Sequence, residues 1–136
     1  MAAERAFFDT NVLVYLLKDD THKGERCADL MAEGGTISVQ VLNELLSVIR
    51  RKTDLSWPET LRFLETLEGL FEITDVTQET HRLGRGLAER YRLSVYDALI
   101  IAASLLSGAN VLYTEDMQDG ATIEGVRIVN PFTGKV

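Results

Sequence analysis

Short apolar runs of strand type alternate along this chain with longer segments that have helical periodicity. The runs lie at about residues 6–10, 36–39, 71–76, 110–114 and 126–129. Helices are predicted at about residues 12–18, 21–33, 40–51, 56–70, 77–92 and 94–108. Strands separated by helices of this length pair in parallel, because each helix carries the chain back across the sheet. The pattern therefore predicts an α/β fold, a three-layer α/β/α sandwich with a central parallel sheet of four to five strands.

The chain has the size of a single domain. Its 136 residues contain no internal repeat, low-complexity tract or linker, so we expect one domain over residues 1–136. The longest apolar stretch, residues 98–106, is far below the roughly 18 residues that span a membrane, and no membrane partner is expected. The single cysteine, Cys27, excludes an internal disulfide and suits a reducing compartment. We therefore expect a cytoplasmic protein.

Acidic residues outnumber basic ones by 21 to 14, which gives a formal net charge of −7. This balance argues against a protein that coats nucleic acid through bulk positive charge. It is compatible with an enzyme whose carboxylates hold cations and meet a phosphate backbone through them. Basic residues cluster at 50–52 and at Arg82, Arg85, Arg90 and Arg92. Most of them are expected on solvated helix faces, although an arginine of the second cluster is a candidate for guiding a nucleic-acid strand.

Two acidic residues follow predicted strands directly. Asp9 comes after Phe8 at the end of the first run, and Asp116 follows the run that ends at Thr114. The carboxyl ends of parallel strands meet at one edge of a sheet, where sites commonly form. Asp9 is equally compatible with a helix N-cap, and Asp116 shares an acidic loop with Glu115 and Asp119. The residues alone leave these alternatives open.

Two further acids lie at unusual positions in predicted helices. Glu44 falls on the shoulder of the apolar arc formed by its helix, although a glutamate there can also extend to solvent. Asp97 lies in the first turn of a helix that is apolar all round, which indicates a buried helix. A buried carboxylate is costly unless it is compensated. The helix N-terminus supplies part of that compensation, and an arginine or a metal ion would supply the rest.

Taken together, the four acids indicate a metal site. Oxygen ligands without nearby His or Cys suit Mg²⁺ or Mn²⁺ better than Zn²⁺. Carboxylates that hold one or two such ions support hydrolysis of a phosphodiester by an activated water.

The ordered set of motifs resembles the PIN-domain ribonucleases and, within them, is similar to the VapC toxins of bacterial and archaeal toxin–antitoxin pairs. The resemblance covers nearly the whole chain and is carried by Phe8-Asp9-Thr10-Asn11, by Glu44, by Tyr96-Asp97-Ala98-Leu99-Ile100 and by Leu112-Tyr113-Thr114-Glu115-Asp116. It implies a parallel sheet between helices and an endoribonuclease that depends on Mg²⁺ or Mn²⁺. It also implies an RNA substrate, a homodimer and a small VapB-like antitoxin that covers the acidic site.

The resemblance also implies roles for individual residues. Asp9, Glu44 and Asp97 match the metal-holding acids, and Asp116 matches the fourth, with Glu115 and Asp119 as competing candidates. It further implies that Thr114 supplies a hydroxyl that orients the site and that Asn11 braces the first acid.

Other functions fit the residues less well. A phosphatase of the haloacid dehalogenase type needs a second aspartate two positions after the first, where this chain has Asn11. A receiver domain needs an adjacent acidic pair after the first strand and a phospho-acceptor aspartate after the third. For the latter this chain offers only the segment Phe71-Glu72-Ile73-Thr74-Asp75. No serine lies in a nucleophile elbow, so triad chemistry is not expected. A PIN-like housekeeping nuclease and a catalytically silent binding scaffold remain as alternatives to a toxin.

Overall fold

Six short strands form one sheet in the part of the chain that this computed structural model describes, residues 4–18 and 21–133. The strands are β1 (Ala6–Phe8), β2 (Thr36–Ser38), β3 (Glu72–Thr74), β4 (Val111–Tyr113), β5 (Thr122–Ile123) and β6 (Val126–Val129). The helices are α1 (Thr10–Leu13), α2 (Thr21–Met31), α3 (Val39–Lys52), α4 (Trp57–Leu70), α5 (Gln78–Tyr91) and α6 (Val95–Leu106). A 3₁₀ turn, Val14–Leu17, follows α1 directly. The result is the predicted α/β fold, with a mostly parallel sheet flanked by helices.

The strand order in the sheet is β3-β2-β1-β4-β6-β5. Strand β1 pairs in parallel with both β2 and β4, and the chain therefore proceeds outward from β1 in two directions. The boundary between β1 and β4 is the switch point of the sheet. In open parallel sheets, ligands bind in the crevice beside the carboxyl ends of the strands at such a point.

The sheet has six strands in the described residues, whereas four to five were predicted. The additional strand, β5, is only two residues long and pairs antiparallel with β6. A two-residue turn joins them, in which Glu124 and Gly125 have φ values of 51° and 90°. Positive φ at both turn positions is typical of the tight hairpin whose twist matches that of the flanking strands. A strand this short is too brief to produce a periodic sequence signal.

Most helices begin at a polar cap. Ser56 and Glu59 form a capping box at the start of α4, and Ser94 accepts a hydrogen bond from the backbone of α6. The predicted helix at residues 12–18 is instead split between α1 and the 3₁₀ turn. Asp9 caps α1, so the helix starts immediately after the first strand. This abrupt junction places Asp9 at the carboxyl end of the central strand β1.

The core lies on the strands and on the helices that cross them. Phe7, Phe8 and Leu112 from neighbouring strands are fully buried, and Ile101 of α6 is buried with them. Helices α5 and α6 pack closely because Gly84 has no side chain: a Cβ there would lie 2.6 Å from Cδ2 of Leu99. No helix in the described ranges combines the length and the apolarity needed to cross a membrane.

Candidate active site

Asp9 is held at the carboxyl end of β1 by three hydrogen bonds. Its Oδ1 accepts one from the backbone N–H of Thr10 at 2.7 Å. Its Oδ2 accepts one from Oγ1 of Thr114 at 2.9 Å and a longer one from Nδ2 of Asn11 at 3.3 Å. Only 6% of Asp9 is exposed. The carboxylate is therefore both an N-cap and a buried charge with a fixed orientation.

The pKa of Asp9 is raised from 3.8 to about 6 by the sum of several effects, of which burial is the largest. The hydrogen bonds from Thr114 and from the Thr10 backbone act in the opposite direction, because they stabilise the ionised form. Repulsion by the carboxylates of Glu44 and Asp97 raises the pKa further. The three acids are thus electrostatically coupled, as expected for carboxylates that surround one site.

The Glu44 carboxylate is held by two hydrogen bonds from neighbouring side chains. Oγ1 of Thr10 donates a hydrogen bond of 2.5 Å to Oε1 of Glu44, and Nε2 of Gln40 donates one of 3.2 Å to Oε2. The backbone of Thr10 contacts Asp9 while its side chain contacts Glu44. A single residue therefore joins the two acids, and the Glu44 carboxylate is held by protein contacts although the residue is only half-buried.

Asp97 lies in the first turn of α6, with its backbone N–H bonded to the side chain of Ser94 at 3.2 Å. The residue is half-buried, and no cation in the described ranges forms a salt bridge with it. The arginine partner that was one of the expected compensations is therefore not observed. The helix N-terminus is the favourable element next to this charge.

The three acids of the loop after β4 have different surroundings. Oε2 of Glu115 forms a salt bridge of 2.6 Å with Lys23, and the Tyr15 hydroxyl donates a hydrogen bond of 2.7 Å to Oε1. Burial alone would raise the pKa of Glu115, but the bonds from Lys23 and Tyr15 outweigh it, and the pKa is lowered. Asp119 accepts a hydrogen bond of 2.9 Å from the backbone of Asn130. Asp116 is left facing the cavity described next, so the geometry favours it as the fourth acid.

All four predicted acids line one cavity of about 480 Å³. Its other walls carry three cations, Lys18, Arg51 and Lys52. None of the arginines between residues 82 and 92 lines it, so the expectation that one of them guides a strand stays a prediction that concerns the surface outside the cavity. Helix α3 ends beside the cavity, which brings Arg51 and Lys52 to its wall. The cavity therefore combines four carboxylates with three exposed cations, which we call its basic rim.

Several residues of the site were not predicted from the sequence. They are Thr10 and Gln40, which bond Glu44, and the rim residues Lys18, Arg51 and Lys52. Thr10 had a detectable signal, because a hydroxyl next to an acid at a strand end is well placed to form local hydrogen bonds. Arg51 and Lys52 belong to the basic cluster at residues 50–52, but nothing in that cluster indicated a position beside the acids, and nothing local distinguishes Lys18 from other surface residues.

The four acids have the ligand chemistry that suits a hard divalent cation, but they are not spaced as the ligands of one ion. All four acids offer carboxylate oxygens to one cavity, which is the ligand type that Mg²⁺ and Mn²⁺ prefer. As placed, no group of three or more His, Cys, Asp or Glu side chains in the described ranges is arranged to hold a metal ion.

Cys27 takes no part in this chemistry. The side chain is fully buried in the core, and burial raises the pKa of its thiol to about 12. A thiol that remains protonated at neutral pH is a packing group rather than a nucleophile.

Comparison with known proteins agrees with this geometry. The family model described as PIN domain matches residues 6–118. A toxin–antitoxin complex from Klebsiella pneumoniae has a TM-score of 0.72 and 23% identity, and the match covers 93% of this chain and 98% of that one. VapC20 of Mycobacterium tuberculosis, described as a sarcin–ricin loop cleaving toxin, has a TM-score of 0.66 and 19% identity over 82% of this chain and 89% of its own.

A third similar structure is VapBC2 of Rickettsia felis, bound to DNA from its promoter, with a TM-score of 0.67 and 19% identity over 90% and 96% of the two chains. At these identities the likeness concerns the fold. Comparison with curated proteins gives no match.

Proposed function

This chain belongs to the PIN-domain family, and from that premise we propose that it is a metal-dependent endoribonuclease, the toxin of a VapBC-like toxin–antitoxin pair. The observation that carries the proposal is the cavity at the sheet's switch point, where Asp9, Glu44, Asp97 and Asp116 converge from four separate elements. Four carboxylates in one cavity repel each other, and a cation-dependent reaction gives that costly arrangement a purpose.

The four acids would hold Mg²⁺ or Mn²⁺. When bound, such an ion lowers the pKa of a coordinated water and neutralises charge on the phosphate under attack. The buried Asp9, whose orientation is set by three hydrogen bonds, would be the central ligand. Glu44, Asp97 and Asp116 would complete the shell directly or through water.

The remaining polar residues would position the acids and the RNA. Thr114 and Asn11 hold Oδ2 of Asp9 from one side, and Thr10 fixes Glu44 from the other. Lys18, Arg51 and Lys52 would bind phosphates on either side of the cleaved bond, since phosphate contacts position a nucleic acid without reading its sequence.

We also propose the partners of the family's toxins for this chain: a VapB-like antitoxin that places side chains over the acids, and a second copy that forms a homodimer in the cytoplasm. Three similar structures, from Klebsiella pneumoniae, Rickettsia felis and Salmonella typhimurium, are described as toxin–antitoxin complexes or as VapBC. That likeness supports the proposal through the shared fold.

The direct test is cleavage of structured RNA by the purified protein with Mg²⁺, with Mn²⁺ or with EDTA. We expect cutting only with the metal ions, and none by Asp9→Asn or Asp97→Asn. Asp75→Asn is the matched control, because Asp75 is an exposed acid that does not line the cavity. Cleavage that survives EDTA would contradict the metal mechanism, and cleavage by Asp97→Asn would place the reaction elsewhere.

A second test separates a toxin from a housekeeping nuclease or a silent scaffold. Expression of the wild-type chain alone should arrest growth of a bacterial host, whereas Asp9→Asn at the same soluble level should not. Normal growth with active soluble protein would favour the housekeeping nuclease, and normal growth with inactive protein would favour the scaffold.

A further inference from the structure

An apolar groove of about 380 Å³ opens directly beside the acidic cavity. It is lined by Val39, Gln40, Asn43, Val76, Tyr96 and Leu99. Glu44 and Ser47 line the cavity and the groove alike, as does Tyr96, so the two concavities share a wall. A ligand that extends out of the cavity on this side enters the groove.

Tyr96 is the most exposed large apolar side chain of the described residues, at 68%. It precedes Asp97 in the first turn of α6, and no described residue forms a hydrogen bond with its hydroxyl. An aromatic ring in this position costs hydrophobic free energy in the unbound protein. Its neighbour Val76 is 44% exposed on the same groove. Tyr96 and Val76 therefore present exposed apolar surface next to the acids.

We propose that this groove holds the base of the nucleotide adjacent to the scissile phosphate, with the base stacked on the Tyr96 ring. The inference rests on the proposed ribonuclease function and assigns a base-stacking residue to it. Stacking of a base on an aromatic side chain contributes about 1 to 3 kcal/mol and tolerates any base, because every base has a π-face. The amides of Gln40 and Asn43 offer donors and acceptors to the base edge.

The charges around the cavity support a nucleotide in the groove. Lys18, Arg51 and Lys52 line the acidic cavity but not the groove, so the cations and the apolar wall lie on different parts of the surface. This separation matches a nucleotide, in which an anionic backbone carries a flat apolar base. The groove is also a concavity of small-ligand size.

The test compares Tyr96→Ala with Tyr96→Phe, which keeps the stacking ring and removes only the hydroxyl. All proteins carry Asp97→Asn so that RNA stays intact in Mn²⁺. Binding is measured by fluorescence anisotropy with a labelled short single-stranded RNA pool of mixed sequence, and with the same ribose-phosphate backbone lacking bases. Tyr96→Ala should weaken binding of the RNA pool about 5- to 150-fold, the equivalent of one stacked base. Tyr96→Phe should bind as the parent does, and neither change should affect the abasic backbone.

Equal binding of the RNA pool by Tyr96→Ala and the parent would overturn the inference. The same loss with the abasic backbone would also overturn it, because the ring would then act on the backbone or on folding. A change of mass in sedimentation on Tyr96→Ala would identify the groove as a contact between copies of this chain and would overturn it as well. If the wild type cuts no RNA while the base-dependent effect of Tyr96 is observed, the proposed cleavage function fails and the groove assignment stands.

Discussion

Oγ1 of Thr114, at the end of β4, donates a hydrogen bond of 2.9 Å to Oδ2 of Asp9, at the end of β1. The same oxygen accepts hydrogen bonds from Nδ2 of Asn11 at 3.2 Å and from the backbone N–H of Asp116 at 3.3 Å. One buried hydroxyl thus joins both strands at the switch point and bonds the backbone that carries the fourth acid. The resemblance to PIN-domain nucleases implied an orienting role for Thr114, and these contacts are the means by which it would act.

Replacing this hydroxyl should raise the pKa of Asp9 in the metal-free protein. The Thr114 hydrogen bond stabilises the ionised carboxylate, so Thr114→Val removes a contribution that lowers the pKa. We expect the carboxyl carbon of Asp9, followed by NMR, to titrate above about 6. RNA cleavage should fall about 10- to 100-fold, as for other residues that orient metal ligands. Thr66→Val on the exposed face of α4 is the control, and an unchanged titration of Asp9 would contradict the role.

Asp9 should also make stability depend on pH. Its pKa is 3.8 when unfolded and about 6 when folded, so between these values the folded state binds the extra proton. Its contribution to stability is therefore complete below about pH 4 and is lost as the pH rises through about 6, a change of about 3 kcal/mol. In urea unfolding with EDTA, the free energy of unfolding of the wild type should fall by this amount as the pH rises through about 6. That of Asp9→Asn should not show this fall, because the asparagine side chain stays neutral. A pH-independent difference between the two proteins would refute the raised pKa.

Replacing Glu115 should reduce stability but not metal binding, and replacing Asp116 should do the reverse. Glu115→Gln loses the salt bridge to Lys23, which is partly exposed, and should cost about 1 kcal/mol of stability while Mn²⁺ binding is retained. Asp116→Asn should leave the melting temperature nearly unchanged and weaken Mn²⁺ binding about tenfold or more. Thermal melts and calorimetric titration with Mn²⁺ measure both. Weaker Mn²⁺ binding by Glu115→Gln alone would make Glu115 the fourth acid.

The basic rim should contribute to RNA affinity without sequence preference. Arg51→Gln should weaken RNA binding equally across sequences and reduce the salt dependence by about one phosphate contact. Arg82→Gln on α5 serves as the control, because Arg82 does not line the cavity. Anisotropy titrations at several salt concentrations give both values. An equal effect of the two variants would mean that general charge, rather than the rim, attracts the RNA.

Two glycines of α5 provide a matched test of how closely α5 and α6 pack. A Cβ at Gly84 would meet Leu99, whereas one at Gly86 has open space around it. Gly86→Ala should stabilise the protein by about 0.5 to 1 kcal/mol, because alanine favours a helix. Gly84→Ala should be less stable than Gly86→Ala by about 1 to 3 kcal/mol because of overpacking. Equal unfolding free energies in urea would show that Leu99 can move aside at no cost.

The fold class and the region of the site follow from the sequence because their causes are local. Capping residues such as Ser56 and Ser94, and the periodicity of the segments between strands, specify most helices within a few positions. The parallel arrangement then brings the residues after β1 and β4 to one edge. On that basis Asp9 and Asp116 were expected together, and they line one cavity. Their role in metal binding stays a prediction.

The roles of similar residues in one loop, and the identity of the rim cations, depended on the tertiary structure. Glu115, Asp116 and Asp119 have the same charge and nearly the same position in sequence. They differ only in distant partners: Lys23 for Glu115, the backbone of Asn130 for Asp119, and the cavity for Asp116. Arg51 reaches the cavity because α3 ends there, whereas the arginines of α5 do not. Electrostatic and hydrogen-bond partners are set by spatial proximity between remote segments, and periodicity and capping carry no information about it.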